Sequence, residues 1–124
     1  MSTDTSERQI RTLIEEWAQA VRDVDMERIL ANHTDDILMY DVPPPLQSKG
    51  IAAYKKTWDL FFTNSRGGPG SFDLSELEIT AGDVVGFAHA LVNVSGSTAR
   101  LSMGLKNVGG TWFIAHEHHS YPIE

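Results

Sequence analysis

The chain has 124 residues, 41% of them hydrophobic, and contains no cysteine, which excludes disulfide scaffolds, thiolate zinc sites and cysteine nucleophiles. Its 17 acidic and 10 basic residues give a net charge of −7, which repels the phosphates of nucleic acids and anionic lipids. A chain of this length can bury a sizeable core unaided, and we expect one domain over residues 1–124 that lies in the cytoplasm and needs no metal or other cofactor.

Neither a membrane nor a nucleic acid is an expected partner. The first residues, MSTDTSERQIRT, lack the cationic start and apolar stretch of a signal peptide. No apolar run reaches the length of about 18 residues that would span a bilayer.

Apolar residues spaced by three and four predict a long amphipathic helix that begins near residue 5. Its stripe consists of Ile10, Leu13, Ile14, Trp17, Ala18 and Val21. Ser6 and Gln9 have the spacing of a capping box. Asp25 is a predicted N-cap for a second, short helix, which the polar residues 32–36 should end.

A short strand from Ile37 to Asp41 is predicted next, and the prolines at 43–45 must end it because they have no N–H for a sheet. From Ser48 a third helix is predicted, followed by a glycine-rich loop over residues 64–70. The apolar face of this helix consists of Ile51, Tyr54, Trp58, Phe61 and Phe62.

The remaining chain reads as four strands separated by short turns that contain glycine. They cover residues 72–80, 84–94, 98–108 and 111–121. Helices first and a strand meander last predict an α+β domain, in which the helices pack on one face of a curved antiparallel sheet.

Asp41 is the first candidate for chemistry, because it ends a strand between apolar and aromatic neighbours. A poorly solvated carboxylate in such a place is a candidate general base. The alternative is a structural Asp41 that caps the proline-rich turn.

The last predicted strand holds three of the five histidines. A period of two separates its residues into two faces, one with Trp112, Ile114, His116, His118 and Ser120, the other with Phe113, Ala115, Glu117, His119 and Tyr121. Glu117 and His119 are spaced to form an acid–base pair. His116 and His118 have the spacing of metal ligands, with His89 as a third, or they form a histidine pair that is partly exposed or faces a dimer partner.

Two further polar residues stand out in the strand region. His89 lies in a nearly apolar stretch, so we expect it to be buried and hydrogen-bonded. Arg100 is a candidate for binding an anionic substrate, or a charge at a strand edge.

Four segments together resemble the SnoaL-like branch of the nuclear-transport-factor-2-like superfamily, which includes ketosteroid-isomerase-like proteins. They are the helix from Ile10 to Val24, DILMYDVPPPL at 36–46, KGIAAY at 49–54 and GTWFIAHEHHSYP at 110–122. The resemblance implies a cystatin-like α+β barrel, in which a cone-shaped sheet wraps around the long N-terminal helix with two further helices. It also implies an apolar pocket between the sheet and the helices, and a homodimer through the outer sheet face.

The resemblance further implies roles for single residues. Asp41 matches the general base of ketosteroid isomerase, and Trp17 and Met103 fall at or beside its two oxyanion donors. One indole N–H and a thioether replace those donors, and the loss of one donor typically costs about 3–4 kcal/mol of transition-state stabilisation. Efficient steroid isomerisation is therefore not expected.

The same comparison implies that Glu117 and His119 face the pocket and His116 and His118 face outward, unless a bulge shifts the phase by one. The residues expected to line the pocket or bind a ligand are Trp17, Met39, Trp58, Phe61, His89, Leu101, Met103 and Phe113.

Two functions are open at this point. The first is an isomerase, cyclase or dehydratase-like enzyme that binds a small, largely apolar carbonyl-type molecule, with Asp41 as general base and His119 with Glu117 as an acid or orienting pair. The second is a non-catalytic ligand-binding or dimerisation module.

Overall fold

The computed structural model describes residues 3–123. Its elements in chain order are α1 (Thr3–Arg22), α2 (Met26–Leu30), β1 (His33–Tyr40), β2 (Ser48–Lys49), α3 (Ile51–Phe62), β3 (Asp73–Ala81), β4 (Val85–Val94), β5 (Ser97–Val108) and β6 (Thr111–Ser120). No helix in this part of the chain is long and apolar enough to cross a membrane.

The six strands form one curved, open sheet in the order β2-β1-β6-β5-β4-β3. Strands β3 to β6 pair in chain order as antiparallel neighbours, as the short turns between them predict. The pairing of β1 with β6 is parallel, which the prediction of an antiparallel sheet did not include. This pairing places the end of β1, where Asp41 follows, beside the histidine-rich end of β6.

Helix α1 packs its apolar stripe on the sheet, and the predicted long helix is confirmed. Ile10, Ile14 and Val21 are fully buried. The helix begins at Thr3 and Ser6 is buried inside it, so the predicted capping box at Ser6 is wrong. Asp25 does cap α2, because its side chain accepts a hydrogen bond from the backbone N–H of Arg28.

Strand β1 begins at His33, within the polar residues that the sequence suggested would lie outside a strand. Asp35 and Asp36 are exposed, and the pairing of β1 with β6 is irregular between His33 and Leu38. Because the residues in this irregular, partly exposed stretch are all polar, they show no alternation of polar and apolar side chains that would predict a strand. The two-residue strand β2 precedes α3, which begins at Ile51 instead of Ser48.

A β-bulge divides β6 into two halves that bury opposite faces. Leu105 of β5 pairs with Ile114 and Gly104 pairs with His116, so Ala115 is the extra residue. Before the bulge Trp112 and Ile114 are buried, although they were expected on an outer face. After it the buried residues are Glu117 and His119.

The glycine-rich loop after α3 packs against the end of α1. The backbone N–H of Gly68 donates to the carbonyl of Arg22 over 2.7 Å, and the Arg22 guanidinium donates to the carbonyl of Phe72 over 2.7 Å. Gly67 has φ +74°, and a Cβ there would overlap the Arg22 carbonyl and the Val24 side chain. The loop thus anchors Phe72 over the core.

Replacing Gly67 by alanine should destabilise the protein by about 2–4 kcal/mol, since it combines a left-handed backbone with a steric overlap. Gly68→Ala is the matched control, because Gly68 also has positive φ but has open space around it. It should cost only about 1–2 kcal/mol. Urea unfolding measures both, and equal losses would contradict the predicted overlap.

Candidate functional site

The carboxylate of Glu117 lies in the core with no solvent exposure. Its Oε1 accepts a hydrogen bond from the Tyr54 hydroxyl over 2.7 Å and lies 3.2 Å from Nε2 of His33. Its Oε2 lies 3.3 Å from Nε2 of His119. The Trp17 indole N–H donates to the Tyr54 hydroxyl over 3.1 Å. Helix α3, strand β1 and β6 itself therefore supply the groups that contact this carboxylate, and α1 orients one of them, Tyr54.

These contacts determine the charge of Glu117. Burial by itself would raise the pKa of the carboxyl group, but hydrogen bonds from His119 and His33 and the positive charge of their rings outweigh it and lower the pKa to about 2. The pKa of Tyr54 is raised well above its ordinary value by burial and by the adjacent Glu117 charge. At neutral pH the core thus contains an ionised carboxylate beside a neutral phenol.

His119 connects this buried network to a cavity. Its ring lies about 6 Å, between centroids, from the rings of Trp17, Trp58 and Phe72. The same ring forms part of the cavity wall. The Nε2 atom faces Glu117, and Nδ1 has no partner among the described residues. Nδ1 is therefore the ring nitrogen left for a ligand in the cavity.

The cavity has a volume of about 320 Å³ and lies between α3, the end of β1 and the loops that follow α3 and β4. Of the residues predicted to act or to line a pocket, five lie in its wall, namely Met39, Asp41, Trp58, Phe61 and His119. Phe72, Val94 and Ala99 add further apolar surface. The size and the mainly apolar lining suit a small apolar molecule.

The other predicted pocket residues lie elsewhere. Trp17, Leu101 and Met103 are buried in the core without lining this cavity. His89 is exposed, because Ala88 and Ala90 take the inward positions of β4, so its expected burial is wrong. Phe113 lies before the β6 bulge, on the side opposite the buried Trp112 and Ile114, and does not reach the cavity.

Asp41 shows features of both of its proposed roles. Its carboxylate accepts a hydrogen bond from the backbone N–H of Val42 over 2.8 Å, as expected for an aspartate that caps a turn. The side chain is half-buried and also lies in the cavity wall. The second carboxylate oxygen has no described partner and is open to a ligand.

The outward histidines and Arg100 have simple surroundings. The Nδ1 atom of His116 lies 2.7 Å from the Leu38 carbonyl, and His118 is exposed beside Tyr40. Arg100 donates to the Ser120 hydroxyl on the exposed face. Across residues 3–123, no three His, Asp or Glu side chains are grouped as they would be to hold a metal ion.

Two members of the network, His33 and Tyr54, were not identified as functional residues from the sequence. Tyr54 was recognised only as part of an apolar helix face, and His33 stood in a polar cluster without visible periodicity. Neither had a local signal, because their partner Glu117 is 84 and 63 residues away, respectively. The buried Nε1 of Trp58 has no hydrogen-bond partner of standard geometry in the described structure.

Comparisons with known proteins agree on the fold. The model of the SnoaL-like domain matches residues 10–124. An NTF2-like protein of unknown function from Pseudomonas putida is 36% identical, with a TM-score of 0.88, over 100% of this chain and 91% of that one. No curated protein matches the chain.

Two structures of lower identity share the fold. A protein described as a proposed dehydratase of the NTF2-like family, from Streptomyces avermitilis, is 14% identical with a TM-score of 0.81, over 99% of this chain and 100% of that one. A ketosteroid isomerase-like protein from Erwinia carotovora atroseptica is 16% identical with a TM-score of 0.75, over 94% and 97%.

The lowered pKa of Glu117 predicts how stability depends on pH. Folding favours the ionised form, so this contribution is fully present above the ordinary pKa of 4.5 and is lost as the pH falls toward about 2. It amounts to about 3 kcal/mol. Between pH 6 and pH 3, urea unfolding should show a loss of about 2 kcal/mol of this contribution in the wild type but a flatter profile in Glu117→Gln.

The control is Glu15→Gln, which removes an exposed carboxylate from α1. It should retain the acid dependence of the wild type. A profile of Glu117→Gln parallel to that of the control would show that Glu117 is not the group responsible.

Proposed function

Because the chain belongs to the SnoaL-like family, we propose that it binds a small, largely apolar carbonyl-type molecule and moves a proton on it, as an isomerase, cyclase or dehydratase does. The observation that carries this proposal is the buried carboxylate of Glu117, which holds His119 in the wall of an apolar cavity. An ionised carboxylate is costly to bury, and groups whose pKa is strongly shifted by burial and by specific partners cluster at functional sites.

The cavity offers two groups for acid–base catalysis. Asp41 is the general base that removes a proton from carbon, through the carboxylate oxygen that the turn leaves open. His119 is the acid, because Glu117 binds its Nε2 and leaves Nδ1 for a carbonyl or hydroxyl oxygen of the ligand. Glu117 acts through His119 and is a positioning residue.

Efficient steroid isomerisation is not part of the proposal. The Trp17 indole N–H already donates to Tyr54, and the Met103 side chain has no proton to donate. An enolate oxygen would therefore lack the pair of preorganised donors that lowers the barrier most. Substrates whose proton is already moderately acidic, or whose leaving hydroxyl takes a proton from His119, suit this site better.

A second candidate function, a non-catalytic ligand-binding module, is favoured by one specific contact. The hydrogen bond from the Val42 N–H gives Asp41 a structural role, the capping of the turn, which requires no catalysis. In that case the cavity would bind the same apolar molecules and leave their C–H protons in place. The two functions thus differ in proton exchange and not in binding.

The exchange of α-hydrogen for deuterium in cyclohexanone and phenylacetone, followed by proton NMR in D₂O, tests the proposal without knowledge of the product. The wild type should accelerate exchange. Asp41→Asn should slow it at least about a hundredfold and His119→Gln about tenfold or more, while quenching of tryptophan fluorescence by the ketone shows retained binding.

His118→Gln is the matched control, since this neighbour is exposed on the other side of the sheet, and it should exchange at the wild-type rate. Unchanged exchange in Asp41→Asn would remove Asp41 from the mechanism. Binding of the ketones by the wild type without faster exchange would favour the ligand-binding module.

We further propose a homodimer through the outer sheet face, with the cytoplasm as the compartment. The support for the dimer is exposed apolar surface on that face, including Val85, Phe87 and Val108, which are 61%, 54% and 59% exposed. The absence of cysteine fits a reducing compartment.

Phe87→Glu should convert the proposed dimer to a monomer, because a charge at the centre of an apolar contact must be desolvated on association. Light scattering after size exclusion measures the mass directly. Val24→Glu, at an exposed apolar residue that follows α1, is the control and should remain dimeric. A wild-type mass near 13.7 kDa would contradict the proposal.

A further inference from the structure

The network around Glu117 contains a second histidine, His33, whose side chain is fully buried. It does not line the cavity in whose wall His119 lies, so it does not touch a ligand there. Its ring packs on Tyr54 with centroids 4.6 Å apart. A buried ionisable side chain with no access to ligand calls for another explanation than catalysis.

Both ring nitrogens of His33 face oxygen atoms that accept hydrogen bonds. Nδ1 lies 2.9 Å from the backbone carbonyl of Ala31, and Nε2 lies 3.2 Å from Oε1 of Glu117. A carbonyl can only accept, so Nδ1 carries a proton. The contact between Nε2 and Oε1 needs one proton to be a hydrogen bond, and an imidazole is a stronger base than a carboxylate, so Nε2 carries a proton as well.

The Tyr54 hydroxyl does not change the need for a proton on Nε2 of His33. The Trp17 indole is a donor only and points to the Tyr54 oxygen. The hydroxyl proton is therefore directed to Oε1 of Glu117. Every group on that oxygen is a donor, and the carboxylate remains the acceptor.

We infer that His33 is held as an imidazolium, and that it is a positioning residue that sets the proton state of His119 by neutralising Glu117. This inference rests on the proposed role of His119. If His119 were the only cation near a buried carboxylate, it would hold its second proton too tightly to donate it. With the charge of Glu117 already balanced by His33, the proton on Nδ1 of His119 can be given up and regained.

The other groups around His119 do not duplicate this effect. Trp17 and Trp58, from α1 and α3, are uncharged, and Leu101 is its neighbour on β5. Asp41 and Tyr121 share the cavity wall with it, and neither lies within hydrogen-bonding distance. Glu117 is thus the charged group in direct contact with His119, and His33 is the other ring in direct contact with Glu117.

Histidine ¹⁵N NMR of the wild-type protein at pH 7 tests the first part without substrate. His33 should show two protonated ring nitrogens, assigned by loss of its signals in His33→Gln. One protonated and one bare nitrogen would overturn the inference. This result is independent of catalysis, so a failure of ketone exchange would contradict the proposed function alone.

The titration of the His119 ring in His33→Gln tests the second part. Removal of the positive charge leaves Glu117 uncompensated, so the His119 ring should keep its second proton to a higher pH than in the wild type. Tyr54→Phe, which removes a neutral donor from Glu117, and His118→Gln should both shift the titration of His119 much less. A folded His33→Gln protein with an unshifted His119 titration would reduce His33 to a structural residue and overturn the inference.

Discussion

The buried charge of Glu117 is the constraint on which the rest of the structure depends. A carboxylate with no contact with water costs several kcal/mol unless protein groups replace its hydration. Here those groups come from β1, from α3 and from β6 itself, with α1 one hydrogen bond further away. The elements cannot shift relative to one another without leaving the charge unpaired, so the carboxylate fixes their arrangement as well as that of His119.

The arrangement also explains why a polar centre and an apolar cavity occur side by side. The aromatic rings of Trp58 and Phe72 stand beside His119 and line the same cavity. They keep water from the network, and low polarity strengthens the hydrogen bonds within it. A ligand that enters the cavity thus meets one polar edge, at His119 and Asp41, on an otherwise mainly apolar surface.

The sequence predicted the elements well where periodicity was strong. The stripe on α1, the face of α3 and the four C-terminal strands depend on local spacing, and they were found within a few residues of their bounds. The site was predicted in part. Asp41 and His119 share one cavity, but two of the partners of Glu117, His33 and Tyr54, contact it across more than 60 residues of sequence.

Each prediction that was wrong has a local physical cause. His89 stood in an apolar stretch, yet alternation along β4 turns it outward between Ala88 and Ala90. Phe113 was placed by extending the period of two through Ala115, where the pairing register shifts. The parallel pairing of β1 with β6 could not be read from either strand, because hydrophobic alternation does not depend on strand direction.

The bulge at Ala115 has a consequence for the evolution of this chain. Because it inverts the phase of β6 at one residue, an insertion or deletion between Ile114 and Glu117 would exchange which histidines meet the core and which meet the surface. Substitutions on the two faces can accumulate independently, whereas a change in length here alters both faces at once. We therefore expect family members that retain a buried Glu and His on this strand to tolerate diverse residues at the outward positions while keeping the length of the strand constant.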